Sequence, residues 1–376
     1  VTGVIFAGVP GIILGSNEEI AWGVTNVGPD VQQLYFEQRH PEEPSTFLYD
    51  DEWYEAEVIT EEILVADQEP YEHEITLTRN GPLLSEYASF DEQAEYALSM
   101  RWTAHEATTE LQAVLDFNRA DDWDSFSEAL TSFQAPAQNF VFASQDGTIA
   151  YRANGLIPIR PEEDDALLPV PGWDPAYQWE GYIPWDELPT IINPDSGIIS
   201  TANNQIVDDD YPYHLTHTWA QPYRHQRIID VLYAASDHTA EDMMDLQMDV
   251  VNLQAEEFVP ILTRALGDRE QSDIEEQALT MLQDWQFEDL RDEAGPLLFH
   301  LWMDEISSQL FKEALPKEIY DLFEGRANIV DEMLRDADEG QTGPWIEKAG
   351  GFETLVSTSF QQAVARATEL QGEIPN

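Results

Sequence analysis

The sequence has 376 residues, with 74 acidic side chains against 17 basic ones for a formal net charge of −57, and it contains no cysteine. That charge excludes nucleic-acid binding, which needs basic patches against phosphate. The missing cysteine excludes disulfides, thiolate catalysis and cysteine-ligated metals.

No apolar run is long enough to span a bilayer. The apolar opening, "VTGVIFAGVPGIILGSNEEIAWG", has no basic n-region and carries Pro10 and several glycines, so it reads as buried strands and turns and not as a signal peptide. Residues 1 to about 105 continue as strands and tight turns: apolar runs stop at "SNEE" and "RNG", and "HEITLT" alternates as a half-buried strand does. Residues 106–135 are expected to be helical, with Leu111, Val114, Leu115, Phe126 and Leu130 at helical spacing. "NFVFASQDGTIAYRA" predicts a hairpin turning at Asp146-Gly147. Residues 156–195, rich in Pro, Gly and Trp, predict long ordered loops over a sheet, and "GIIST" predicts a further strand. From about residue 225 the pattern is helical, with a capping-box start at Thr239 and Asp242 and amphipathic stretches at 255–266, 273–285, 296–315 and 352–370. The expected division is a β-rich part over 1–224 and a helical part over 225–376.

Acid is spread along the whole chain beside 11 tryptophans, which argues against disorder. A folded surface this acidic repels itself at low ionic strength and is screened in molar salt, where the Debye length is about 3 Å. It reads as adaptation to very high salt; the alternative is a polyacid holding calcium or a basic partner.

Generic sites are missing: there is no G-x-S-x-G elbow, no Walker loop and no H-E-x-x-H. His214, His217 and His225 lack a helical ligand frame and read as packing or surface histidines. What remains is "SGIISTANNQ", where Asn203 and Asn204 close a strand-like run. Such a pair makes a turn, because Asn tolerates left-handed backbone angles, or it aims an amide at a reacting atom.

Motifs elsewhere bear on that choice. Ile20 to Gly23 ("IAWG"), Thr25 to Gln32 ("TNVGPDVQ"), "RNGPLL", "LSMRWTA", "NFVFASQDGTIAYRANGLIPIR", "LLPVPGW" and "NPDSGIISTANNQ…YPY…PYRHQRI" follow one another in order. Together they resemble the β-subunit of the penicillin acylase family of N-terminal-nucleophile hydrolases, over most of residues 1–260. The resemblance implies an α+β fold, a layered αββα sandwich followed by a mostly helical C-terminal portion. It implies hydrolysis of a linear N-acyl amide through an acyl-serine, the serine's own α-amine acting as base. The oxyanion donors it implies are the main-chain N–H of Asn26 and the side-chain amide of Asn203, with Arg224 supporting the site. The segment "PGIILG" would line the acyl pocket, Ile13 and Leu14 giving it an aliphatic wall.

The family's nucleophile lies several dozen residues before the W-G hairpin. Ser16-Asn17 imitates its cleavage point but sits where a hairpin turn belongs and is not taken as the nucleophile. The chain is therefore expected to be an internal part of a longer, self-cleaved precursor, inactive alone and partnered by that precursor's α-chain. The reaction needs no cofactor. Some members bind calcium just after the oxyanion strand, where this chain offers Asp30 followed by Gln32 and Gln33, a later position at His214, and Asp208 to Asp210 as another route; no metal is assigned. Lactam antibiotics and acyl-homoserine lactones both stay open as substrates, and so does the compartment, export or the cell envelope included. The rivals are an inactive scaffold that binds acylated small molecules and a calcium-dependent acidic scaffold.

Overall fold

A computed structural model describes residues 1–84, 95–164, 166–267, 269–322 and 326–372. The strand-rich expectation at 85–94 and the chain end after residue 372 lie outside these residues. The chain divides into two compact units, Val1–Trp219 and Ala220–Asn376.

The first unit opens with β1 (Thr2–Val4), β2 (Leu14–Ser16), β3 (Ile20–Asn26) and β4 (Gln32–Gln38). Then come β5 (Thr46–Tyr49), β6 (Glu52–Glu55), β7 (Glu57–Ile63), β8 (Tyr71–Thr78), β9 (Gly81–Pro82) and β10 (Tyr96–Trp102). The helices α1 (Glu110–Phe117) and α2 (Trp123–Leu130) precede the hairpin of β11 (Gln138–Ser144) and β12 (Ile149–Asn154), which turns at Gly147. Short strands β13 (Pro158–Ile159), β14 (Val170–Pro171), β15 (Gly181–Tyr182) and β16 (Thr190–Ile192) thread the Pro- and Trp-rich loops.

The main sheet has six strands in the order β1-β2-β3-β11-β12-β16, each pair antiparallel. The period of two in β3 splits its side chains between faces. Ile20 and Trp22 enter a core with Phe117 of α1, Phe126 of α2, and Phe140 and Phe142 of β11. Trp22 meets Phe117 edge-on, ring centroids 5.7 Å apart. Asp122 caps α2 by accepting from the Ser125 N–H at 2.8 Å. The other face of the sheet gives Tyr151 and Ala153 to a second core with Val27, Ile157, Ile183 and Leu215.

Two details depart from the sequence reading. The stretch 106–135 forms two short helices, and its expected core residue Leu111 is exposed while Ala113 and Phe117 are buried. "GIIST" forms no strand: residues 197–201 make no ladder, and Thr201 uses its hydroxyl on neighbouring side chains instead.

The second unit is helical: α3 (Tyr223–Tyr233), α4 (Ala240–Gln247), α5 (Leu253–Leu266), α6 (Asp273–Asp284), α7 (Ala294–Phe311), α8 (Lys317–Leu322), α9 (Arg326–Asp338), α10 (Pro344–Lys348) and α11 (Phe352–Gln371). Thr239 caps α4 with the expected Asp242 box. The core is built on α7, with Trp302 fully buried against Phe360 of α11. No helix among the described residues is long and apolar enough to cross a membrane.

Candidate functional site

The end of β3 is the place to begin. Across the β2–β3 turn the Asn17 N–H donates to the Ile20 carbonyl, and from the β11 side the Gln145 N–H donates to the Glu19 carbonyl, both at 2.9 Å. Main-chain polar groups alternate sides along an antiparallel strand. Even-numbered residues of β3 therefore turn their N–H toward β2, and odd-numbered ones toward β11. The pairing with β2 runs through Trp22, opposite Gly15. The N–H of Asn26 thus lies on the side of β3 that β2 no longer covers.

Asn203 comes to this strand end from the loop after β16. Its backbone is left-handed, with φ of 64°, which Asn adopts at little cost. Its side-chain Nδ2 donates to the Asn26 carbonyl at 2.8 Å. Asn204 closes the turn, its Oδ1 accepting from the Ala202 N–H at 3.0 Å. Asn26 shapes its own loop, because its Oδ1 accepts from the Gly28 N–H at 3.1 Å. Asn203 and Asn204 both serve the turn, and Asn203 reaches the end of β3 at Asn26.

Beneath them lies a buried polar cluster that sequence reasoning missed. Asn139 on β11 stands opposite Thr25 in register. It is fully buried, and the two hydrogens of its Nδ2 are shared among three acceptors within reach, Thr25 Oγ1 and Thr201 Oγ1, both at 3.1 Å, and the Asn26 carbonyl at 3.2 Å. The Tyr151 hydroxyl donates to Asn139 Oδ1 at 2.6 Å. Thr25 and Thr201 also touch through their hydroxyls at 3.1 Å. The signal was present: an Asn opening the apolar strand "NFVF" has to be bonded once buried. Its partners were not readable, since they lie up to 114 residues away.

The calcium question turns on Asp30. Its carboxylate faces His214, with Nε2 to Oδ2 of 2.6 Å, and accepts from Thr216 at 3.3 Å. Arg160 takes the main-chain oxygens of the same stretch. The Arg160 and Asp164 side chains are 2% and 0% exposed and pair at 2.8 Å. The guanidinium also donates to the carbonyls of Asp30 and Gln32, each at 2.7 Å, and to the Gln33 side-chain oxygen. Calcium wants six to eight oxygen ligands, and here the Asp30 and Gln32 carbonyls and the Gln33 side-chain oxygen are already on a guanidinium while the Asp30 carboxylate is on His214. These residues do not fit a calcium ion. Asp208, Asp209 and Asp210 are exposed, and among the described residues no three His, Asp or Glu side chains gather in a metal-binding group.

The remaining candidates are placed as follows. Ile13 is buried in the core with Trp22, whose indole N–H donates to the Ile13 carbonyl at 2.9 Å. Leu14 is half-buried on β2, opposite Val4. Asn17 makes the expected turn, its Oδ1 accepting from the N–H groups of Glu19 and Ile20, both at 2.9 Å. Arg224 belongs to the second unit, where it is exposed in the first turn of α3. His214 and His217 stack with ring centroids 4.6 Å apart.

Comparison with known proteins follows the same lines. The model of the Penicillin amidase family matches residues 1–376. The acyl-homoserine lactone acylase QuiP of Pseudomonas aeruginosa is 32% identical over 260 residues, covering 67% of this chain and 30% of its own. The penicillin acylase 2 proenzyme of Pseudomonas sp. (strain SE83) is 30% identical, covering 66% and 32%. Penicillin G acylase of Escherichia coli is 27% identical, covering 82% and 37%. The chain spans about a third of the length of these curated relatives. Among solved structures, a thermostable penicillin G acylase from Alcaligenes faecalis superposes with a TM-score of 0.80 at 23% identity, covering 97% of this chain and 70% of that one. The shared fold is the N-terminal-nucleophile hydrolase fold expected from the sequence.

Proposed function

The chain belongs to the penicillin amidase family, and on that premise we propose that it carries the oxyanion-stabilising part of an amidase cleaving linear N-acyl amides. In this reading a serine outside the sequence attacks the amide carbonyl through Oγ, and its free α-amine takes the proton. The carbonyl oxygen becomes an oxyanion that accepts from the Asn26 main-chain N–H and the Asn203 side-chain amide. The tetrahedral centre then collapses to an acyl-serine as the amine leaves with a proton, and water releases the acid. Donors of this kind act because they are fixed before charge develops. No step in this reading needs a metal.

The observation that carries the reading is the 2.8 Å bond from Asn203 Nδ2 to the carbonyl of Asn26. An amide nitrogen has two hydrogens, so directing one at that carbonyl fixes the direction of the other. It also ties the second donor to the residue that carries the first. The working setting proposed for it is molar salt, on the strength of the net charge of −57. The acyl group is proposed to be aliphatic, with Leu14 as the wall residue on β2 and Ile13 packed behind it.

The test is Asn203→Ala in the full-length protein, assayed against octanoyl and phenylacetyl amides of 4-nitroaniline. Loss of one oxyanion donor should lower kcat by about 100- to 1,000-fold. Unchanged turnover in a folded variant removes Asn203 from the site. A wild-type protein that binds acyl amides without cleaving them would favour the inactive scaffold. A second reading, acyl-homoserine lactones as substrates, is favoured by the identity to the QuiP acylase; preference for octanoyl over phenylacetyl amides would support it.

A further inference from the structure

The oxyanion reading needs two donors held still, yet they belong to segments that share no ladder. Asn26 ends β3, and Asn203 sits 177 residues later in a loop where 197–201 pair with no strand. Side chains have to do what main-chain bonds do elsewhere in the sheet. We propose that Asn139, oriented by Tyr151, is the positioning residue that fixes both donors, a role that rests on the function proposed above.

Its contacts reach each side. On β3 its Nδ2 touches Thr25 Oγ1 and the Asn26 carbonyl; in the loop it touches Thr201 Oγ1, two residues before Asn203. The Asn26 carbonyl therefore accepts from two amides, Asn139 at 3.2 Å and Asn203 at 2.8 Å. A carbonyl held by a buried amide presents a fixed acceptor to Asn203. The peptide plane that carries the Asn26 N–H is fixed by the same strand end.

Two groups set the orientation of the Asn139 amide: the Asn26 carbonyl, which can only accept, and the Tyr151 hydroxyl at Oδ1. With the Tyr151 hydroxyl donating to Oδ1 at 2.6 Å, Nδ2 has to face the three acceptors. A flipped amide would set Oδ1 against the Asn26 carbonyl, two acceptors without a hydrogen between them. Burial pushes the Tyr151 hydroxyl up, well above its ordinary value, so it stays a donor throughout the working pH range. The Asn139–Tyr151 pair itself is dry, at 0% and 4% exposed, while Thr25, Thr201 and Asn203 around it are half-buried. Low local dielectric strengthens such a network and makes each missing member costly.

A buried Asn that only fills a core would lower stability when truncated and leave turnover per folded molecule alone. A positioning residue acts through Asn203, so the two substitutions should not multiply. The experiment is a double-mutant cycle on the full-length protein with octanoyl-4-nitroanilide: Asn139→Ala, Asn203→Ala and the pair, with kcat and KM separated and folding checked by melting. Asn139→Ala should lower kcat about 10- to 100-fold with KM changed less than about threefold. In the Asn203→Ala background the same substitution should cost less than about twofold further.

Tyr151→Phe keeps the ring and its volume, and so tests the idea even where Asn139→Ala fails to fold. It should lower kcat about 3- to 10-fold by leaving the buried Asn139 Oδ1 without its donor and loosening the amide. Unchanged kcat in folded Asn139→Ala or Tyr151→Phe overturns the proposal, as does a double variant whose loss is the product of the singles. If Asn203→Ala lowers kcat while those two variants do not, only the positioning role fails. If Asn203→Ala itself leaves kcat unchanged, both readings fall together.

Discussion

At the scale of single residues, the chain answers its buried polar groups with partners far away in sequence. Arg160 is the clearest case. Its guanidinium holds Asp164 and gathers the oxygens of Asp30, Gln32 and Gln33 into one cationic centre. "IPIR" gave the sequence reading no reason to choose this arginine over its neighbours, because its role exists only once 30–33 and 160–164 are side by side. Two outcomes follow. Removing one partner of a buried pair leaves an uncompensated charge, so Arg160→Met should lower unfolding stability by about 3 to 5 kcal/mol in denaturant titration. EDTA at constant molar salt should leave the wild-type melting midpoint unmoved, since this site's cation is covalently part of the chain. A midpoint that falls with chelator and returns with calcium would contradict the reading of this site. Ile13 teaches the same lesson: an apolar residue in "PGIILG" could face a ligand or a core, and the structure places it beneath Trp22.

Helices and strands show where local signals suffice. The Asp146-Gly147 turn, the Thr239 cap and the α5, α6, α7 and α11 helices were all legible, because each is decided by a few neighbouring residues and a period of 2 or 3.6. The helix α3 illustrates what was not. None of its residues is fully buried, although Tyr223 packs half-buried against the helical core. Polar ties add to this: the Tyr223 hydroxyl lies 2.9 Å from Glu257 and 3.1 Å from Asp331, sharing its one hydrogen, and Arg227 grips Asp249 with bonds of 2.9 and 2.6 Å. Hydrogen bonds from Arg227 hold the Asp249 carboxyl below its ordinary range, with burial opposing. A depressed carboxylate adds stability above its unfolded pKa of about 3.9, and that stability is lost as pH falls through the lower folded value. Hydrogen-exchange protection of α3 should therefore fade in molar salt as pH falls below about 3.9, before α7 and α11 exchange. Arg227→Ala should weaken α3 protection already at neutral pH. Equal protection of α3 and α7 across that range would show that other contacts hold the helix.

For the whole molecule, charge is the governing quantity. Among the described residues the buried acids are Glu37, Asp164, Glu275 and Asp331; acidic side chains otherwise face solvent or its margin. Some repel at short range, as where Glu62 stands directly opposite Glu72 in the exposed β7–β8 hairpin. Raising KCl from about 0.1 to 2 M shortens the Debye length from about 10 Å to below about 3 Å, which should raise the melting midpoint by several degrees or more. A flat midpoint would mean that the acidic surface does not strain the fold and would remove the case for a high-salt setting. Composition, turn positions, helix starts and the order of motifs followed from the sequence alone, because propensity, patterning and total charge act within a few residues or are simple sums. Tertiary structure alone decided that Asn139 lies under both asparagines, that Arg160 occupies the centre beside Asp30, and that "GIIST" stays out of the sheet. Each of those depends on the register of β3 with β11 and on which distant loop is brought against that pair, and no local pattern encodes a partner more than 100 residues away.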